Sequence, residues 1–175
     1  MASNRDIRFP AESILALRRA LVREVGGRAA TQAIREAGHA AGDVLFERLT
    51  RDEDAPEATP QSTFWERLAA LFRELGWGSI EHQEPHPGVG ALVAREWFEV
   101  DEQAPAPVCA FTTGVLANIL GRVAGGDVAV MVVGCESGEP RCCRFLFGSA
   151  AVLQSLHAGL REGRELHSAL GALGS

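Results

Sequence analysis

The spacing of apolar residues changes along this chain from a helical period to a strand period, and this change limits the possible folds. Before Gly76, three segments (11–25, 28–49 and about 62–75) place apolar residues three or four positions apart, as amphipathic helices do. Two pairs of strand-like runs follow, SIEHQEP with ALVAREWFEV and DVAVMVVGC with CCRFLFG, each joined by turn residues. A helical pattern over about 111–124 separates the pairs, and another covers about 150–160. We predict an α+β fold in which an antiparallel sheet of two hairpins packs against a helical layer.

The length of the chain predicts one domain over residues 1–175. A chain of 175 residues should bury roughly 70% of the surface that it exposes when unfolded, enough for a real core. The acidic segment at about 51–61 contains two prolines and is predicted to be an exposed connection. It is not a domain boundary, because too little chain precedes it to form a separate core.

Charge and hydropathy exclude several classes of partner. The formal net charge is −6 and the isoelectric point about 5.4, so the chain lacks the basic field that binds nucleic acid directly. No apolar run approaches the roughly 18 residues of a membrane span, and the charged N-terminus does not resemble a signal peptide. We therefore expect a cytoplasmic protein with reduced cysteines.

The second helical segment is rich in small residues. Gly38 and Gly42 lie four positions apart and so share a face, which lets another backbone approach closely, either inside the subunit or across a dimer. The side predicted to be buried consists of Ala29, Ala33, Ala37, Ala40, Ala41, Val44, Leu45 and Leu49.

Three of the four cysteines fall within nine positions, at Cys135, Cys142 and Cys143. Cys135 closes one predicted strand and Cys143 opens the next, so their thiols can meet. Cys109 stands at the start of a predicted helix, where the macrodipole favours a thiolate. Three readings stay open: buried apolar residues, a metal site, or redox chemistry that includes a vicinal disulfide.

The run CAFTTGVLANILGRVAGGDVAVMVVGCESGEPRCCRFLFG, residues 109–148, resembles the signature of the vinyl-reductase-type (4-vinyl reductase) domain. That signature has a cysteine, a small-residue helix containing glycine, a strand with Glu-x-x-Cys, a loop, and Cys-Arg-Phe. The spaced glycines of REAGHAAGD resemble its N-terminal half. The resemblance implies the ligand-binding fold of nitric-oxide-signalling haem proteins and TRAPP vesicle-tethering subunits. It also implies a homodimer formed through helices and a small hydrophobic ligand held between helices and sheet.

Relatives that sense phenolic compounds hold a zinc ion through the first cysteine, the glutamate and the two hairpin cysteines. The matching positions in this chain are Cys109, Val132, Cys135 and Cys143. Valine cannot bind a metal ion, so the resemblance implies zinc on three cysteines. Water, Cys142, Glu136 or nothing would fill the fourth position.

The implied ligand pocket needs a large apolar lining, and the aromatic residues supply candidates. The predicted lining residues are Phe72, Trp77, Trp97, Phe111 and Leu116, with His39 as a buried polar anchor. A surface or interface role for His39 is the competing interpretation.

The sequence favours a sensor or carrier over an enzyme, because it contains no nucleophile elbow, P-loop or dinucleotide motif. Two alternatives stay open: an accessory or catalytic role in tetrapyrrole vinyl reduction, and an assembly scaffold resembling the tethering subunits. In EHQEPH, an unbroken strand would place His82, Glu84 and His86 on one face as a metal cluster. Pro85 and Pro87 favour a solvated hairpin end instead.

Overall fold

A computed structural model describes residues 9–51, 61–101, 104, 108–134 and 142–173, with only the backbone at 61 and 62. The helices are α1 (Ala11–Val25), α2 (Gly27–Thr50), α3 (Gln61–Glu74), α4 (Ala110–Ala124), α5 (Ala150–Arg161) and α6 (Leu166–Gly171). The strands are β1 (Ser79–His86), β2 (Val89–Arg95), β3 (Ala129–Gly134) and β4 (Cys143–Gly148). This order confirms the predicted α+β class. Most of the predicted connection at 51–61 lies outside the described residues.

The four strands form one antiparallel sheet in the order β1-β2-β4-β3. Each predicted hairpin is present, and pairing of β2 with β4 joins them, for example at Leu92 and Phe145. The sequence predicted that the second strand extends to Val100, and this was wrong. β2 ends at Arg95 because Glu96 turns to a φ of 51°, which breaks the extended backbone.

Both faces of the sheet are covered by helices, whereas the sequence predicted one helical layer. Alternation along the central strands sends Leu92 and Phe145 towards α2, α3 and α4, in the larger core. Ala91 and Leu146 point the other way and pack against α5 and α6 in a second, smaller core. The sheet therefore separates two apolar clusters.

The prediction of close packing at the small residues of α2 is confirmed, inside the subunit. An ideal Cβ at Gly38 would overlap the carbonyl oxygen of Phe111 in α4, and one at Gly42 would lie 2.6 Å from Cβ of Asn118. The approach is mutual, because a Cβ at Gly114 would overlap the carbonyl oxygen of Arg35. Absence of these side chains lets the two helices cross backbone to backbone.

The predicted buried side of α2 was mostly wrong. The buried residues of α2 are Ala30, Gly38, Gly42, Leu45 and Leu49. Of the predicted set, Leu45 and Leu49 are buried and Ala41 is half-buried, whereas Ala29, Ala33, Ala37, Ala40 and Val44 are exposed. Alanine is tolerated equally on both sides of a helix, so its spacing alone could not choose the side. Within the described residues, no helix is both apolar enough and long enough for a membrane span.

Candidate functional site

Four of the predicted lining residues form an aromatic cluster in the larger core. The ring centroid of Trp77 lies 5.1 Å from that of Phe72, 6.2 Å from Trp97 and 5.8 Å from Phe111. Leu116 belongs to the same core and is fully buried. The structure thus brings the five apolar residues together, with the four rings in contact within the cluster. None of the five lines the groove or the cavity described below.

His39 lies away from this cluster, so its prediction as a buried polar anchor was wrong. It is exposed on α2, and its Nδ1 is 3.4 Å from Nδ2 of Asn118. Both residues line a groove of about 660 Å³ beside the crossing of α2 and α4. Asn118 Nδ2 also donates to Asp43 at 3.0 Å, and Arg122 donates to the same carboxylate oxygen at 3.1 Å. These bonds link the two helices on the outside of the crossing.

The buried polar group beside the aromatic cluster is Glu99, which the sequence analysis did not select. Its carboxylate accepts hydrogen bonds from the backbone N–H of Phe111 at 2.7 Å and of Thr112 at 2.9 Å. The Thr112 hydroxyl donates to Glu99 at 2.8 Å and accepts from the indole N–H of Trp97 at 3.0 Å. Glu99 thereby satisfies two of the free N–H groups that begin α4.

The pKa of Glu99 is raised because burial disfavours its charged form, although the donors from Phe111 and Thr112 oppose the shift. The sequence signal for this residue is weak. It is a single acidic residue two positions after Trp97, and nothing in the spacing shows that it reaches the start of α4. Ser, Thr, Asp or Asn directly before a helix is the pattern that normally predicts such a cap.

Cys109 and Cys143 are brought together, as predicted, and both are fully buried free thiols. Their sulfur atoms are 3.5 Å apart. Cys142 is buried and disulfide-bonded, and the third predicted zinc ligand, Cys135, lies outside the described residues. Val132 faces the same side of the sheet as Cys143, since it pairs with Phe145 two residues along β4.

The sequence predicted that the start of α4 favours a thiolate at Cys109, and this was wrong for the metal-free structure. The neighbouring Cys143 thiol, followed by burial, raises the pKa of Cys109 above its ordinary value. Glu99 contributes in the same direction. Glu99 also accepts from the N–H groups at the start of α4 that could otherwise have stabilised a Cys109 thiolate.

A cavity of about 570 Å³ opens at the end of the sheet where β1 turns into β2. Trp65 of α3 stacks on His82 of β1 with ring centroids 3.9 Å apart and planes 10° from parallel. The Phe147 ring lies 5.6 Å from Trp65. The lining is completed by Glu84, His86, Pro87, Gly88, Val89, Gly90 and Gly148. This cavity therefore combines a wall of three rings with polar groups at the hairpin tip.

Trp65, whose ring lines this cavity, carries one donor without an acceptor. The indole N–H of Trp65 is buried and has no hydrogen-bond partner among the described residues. Burial lowers the pKa of His82 and outweighs the opposing effect of the Glu84 charge. The backbone N–H of Gly88 donates to His86 Nδ1 at 3.1 Å, so Nε2 is the ring nitrogen of His86 that is left to bind another group. The cavity thus offers hydrogen-bond donors and acceptors beside an apolar wall.

Strand β1 runs through His86, further than the prolines suggested. The ladder with β2 is irregular between Gln83 and His86, and Pro85 sits in this irregular part of an edge strand, where a missing N–H is tolerated. Within the described part of the chain, no group of three or more His, Cys, Asp or Glu side chains is arranged to hold a metal ion.

The chain matches no family model and no curated protein. Among solved structures, it is similar to the phenol-responsive sensory domain of the transcription activator PoxR with phenol. The TM-score is 0.71 at 18% identity, over 94% of this chain and 87% of the other. The chain has the fold of that sensory domain.

A vinyl-4-reductase family protein from Methanocaldococcus jannaschii is also similar, with a TM-score of 0.49 at 20% identity over 83% of each chain. The predicted fold, an antiparallel sheet of two hairpins with packed helices, is confirmed by the sensory-domain match. At this level of identity, the likeness establishes the fold.

Proposed function

We propose that this chain binds a small, neutral aromatic molecule, as a sensor or carrier, in the cavity at the end of the sheet. The observation that carries the proposal is the unpartnered indole N–H of Trp65 in the wall of an aromatic cavity. A buried donor without an acceptor costs about 1–3 kcal/mol, so a ligand that supplies an acceptor recovers that energy. The fold shared with a phenol-responsive sensory domain supports a ligand of this class.

The lining selects for a flat molecule with one polar end. Phe147 and the Trp65–His82 stack supply apolar surface for a ring. A ligand hydroxyl in the cavity could donate to His82, and it could accept from Trp65 if ligand binding turned the buried N–H of that ring towards the cavity. Glu84 and the net charge of −6 disfavour anions. Phenols with apolar substituents meet all of these requirements.

Trp65→Phe removes the indole N–H but keeps an aromatic ring. We expect it to weaken phenol binding about tenfold, which is the value of one hydrogen bond. Calorimetric titration of wild-type and Trp65→Phe protein with phenol and 4-ethylphenol measures this change. The matched control is Trp77→Phe, which alters a half-buried ring of the interior aromatic cluster instead. Circular dichroism checks that both variants are folded.

The control also tests the pocket that the sequence predicted. If Trp77→Phe weakens binding and Trp65→Phe does not, the ligand lies at the cluster of Phe72, Trp77, Trp97, Phe111 and Leu116. Binding of no phenol by the wild-type protein would overturn the proposed function itself. Turnover of a tetrapyrrole with reduced nicotinamide would instead favour the enzymatic alternative, and a stable protein partner would favour the scaffold.

We also propose that Cys109 and Cys143 hold a zinc ion that braces β4 against α4. Two thiolates bound to one tetrahedral zinc lie about 3.8 Å apart, given Zn–S bonds near 2.3 Å. The observed separation of 3.5 Å fits this geometry, so the described pair suits the metal. Cys135 is the proposed third ligand, and zinc binding would require reduced protein, since Cys142 is disulfide-bonded in the structure.

Reduced protein is expected to contain one zinc ion per chain, and Cys109→Ser is expected to lose it. Val132→Glu restores a carboxylate on the face of the sheet that carries Cys143, so it should bind zinc more tightly than the wild type. Mass spectrometry of metal content and competition with a chelator measure both effects. Zinc-free wild-type and Val132→Glu proteins would mean that the two thiols serve only as apolar packing.

A further inference from the structure

Gly90 is the residue of β2 over which the Phe147 ring lies. The two residues are direct partners in the pairing of β2 with β4, and Phe147 packs against the larger core. An ideal Cβ at Gly90 would overlap Cζ and Cε2 of that ring and would lie 2.9 Å from Cε1. The outer edge of the ring therefore occupies the space of a Cβ. Because every other amino acid carries that atom, only glycine at position 90 allows this placement of Phe147.

Phe147 extends across β2 to reach the cavity at the end of the sheet. Strand β2 lies between β4, which carries Phe147, and β1, which carries His82. Strands two places apart in a sheet are separated by roughly 10 Å. The ring centroid of Phe147 nevertheless lies 6.1 Å from that of His82 and 5.6 Å from that of Trp65. The absence of a side chain at Gly90 thus lets Phe147 form the third ring of the cavity wall.

The overlap at Gly90 differs in kind from the overlap at Gly38. At Gly38 the obstructing atom is a backbone carbonyl oxygen, whereas at Gly90 the obstructing atoms are the far end of a half-buried side chain. Rotation about χ1 moves a phenylalanine ring without moving the backbone. A methyl group at position 90 is therefore expected to displace the Phe147 ring from the cavity wall and to leave the fold intact.

We propose that Gly90 is a positioning residue that makes the cavity prefer aromatic over saturated cyclic alcohols, because it keeps the Phe147 ring in the wall. This inference rests on the proposed function, since it concerns the ligand of the same cavity. Contact between two aromatic rings strengthens binding roughly two- to tenfold beyond the effect of buried area. Phenol and cyclohexanol both carry one hydroxyl on a six-membered ring, so their affinities differ chiefly through this contact.

Calorimetric titration with phenol and with cyclohexanol tests the proposal. The wild-type protein should prefer phenol, and Gly90→Ala should lower the ratio of the two affinities about fivefold. A general loss of structure would weaken both ligands alike and would leave the ratio unchanged. Gly134→Ala is the matched control in β3. Gly134 is exposed, and no described atom beyond its chain neighbours lies within 4 Å of the position of its Cβ, so this ratio should stay at the wild-type value.

A double-mutant cycle with Phe147→Leu tests whether Gly90 acts through the ring. Phe147→Leu alone should lower the ratio, and adding Gly90→Ala should change it no further, because the displaced ring is already absent. If Gly90→Ala alone does not fold, the doubly substituted protein must fold for the proposal to stand, since leucine lacks the overlapping atoms.

Two results would overturn the inference and leave the proposed function in place. One is a wild-type preference for phenol that Gly90→Ala retains. The other is a further fall in the ratio when Gly90→Ala is added to Phe147→Leu, because Gly90 would then act without the ring. A wild-type protein that binds neither alcohol would instead overturn the proposed function, and this inference with it.

Discussion

Alanine in place of Gly38 is expected to lower the free energy of unfolding by about 3 kcal/mol, near the upper end of the cost of overpacking a core. The added methyl group would overlap the carbonyl oxygen of Phe111, which is backbone and cannot rotate away. Relief requires α2 and α4 to separate, and that would loosen the core between them. Urea unfolding followed by circular dichroism measures the loss.

Gly27 provides the control on the same helix. It begins α2, and among the described residues outside its own turn of helix no atom lies within 4 Å of the position that its Cβ would take. Gly27→Ala should therefore be neutral or stabilise the protein by up to about 1 kcal/mol, because alanine has the higher helix propensity. Equal stabilities for Gly38→Ala and Gly27→Ala would show that the two helices do not cross as closely as described.

Removal of the Glu99 side chain is expected to cost about 3 kcal/mol, because Glu99→Ala leaves the N–H groups of Phe111 and Thr112 without their acceptor. Glu99→Gln keeps the size and one carbonyl oxygen, so its loss should be smaller. Denaturant unfolding of the three proteins at one pH gives this order. Equal stability of wild type and Glu99→Ala would mean that water satisfies these groups.

The pH dependence of stability gives a second test of Glu99. Burial raises its pKa, so the folded protein binds this proton more tightly than the unfolded chain does. The free energy of unfolding should therefore fall as the pH rises from about 4.3, the ordinary glutamate value, through the raised pKa. Glu99→Gln should lack this component, which would appear as a difference between the two pH profiles.

The sequence predicted features that depend on local spacing. Gly38 and Gly42 indicated close helix packing because residues four apart share a helix face whatever surrounds them. The position of Cys109 before a helix followed similarly from element order, whereas its closeness to Cys143 was implied by the family resemblance. The α+β class, the two hairpins and the close packing at Gly38 and Gly42 were therefore predictable from the sequence.

Features that depend on tertiary contacts could not be predicted in this way. Glu99 caps α4 across an intervening segment, and Trp65 meets His82 only because α3 packs on β1. The spacing of residues within one helix or strand predicts neither the Glu99 cap nor the Trp65–His82 contact. The five apolar residues predicted to line the pocket lie together, three of them fully buried, but burial alone does not distinguish a ring that packs from a ring that faces a ligand.

The two edge strands of the sheet differ in how readily they could pair with a strand of another molecule. Along β1, Pro85 lacks an N–H and the hydrogen-bonded ladder is irregular. A strand from another molecule would therefore find little regular backbone to pair with. Among the described residues, β3 forms the opposite margin, where Met131, Val132 and Val133 present an uninterrupted aliphatic run. Cross-β growth from partly opened molecules should therefore start at β3, and a lysine introduced there would act as a gatekeeper.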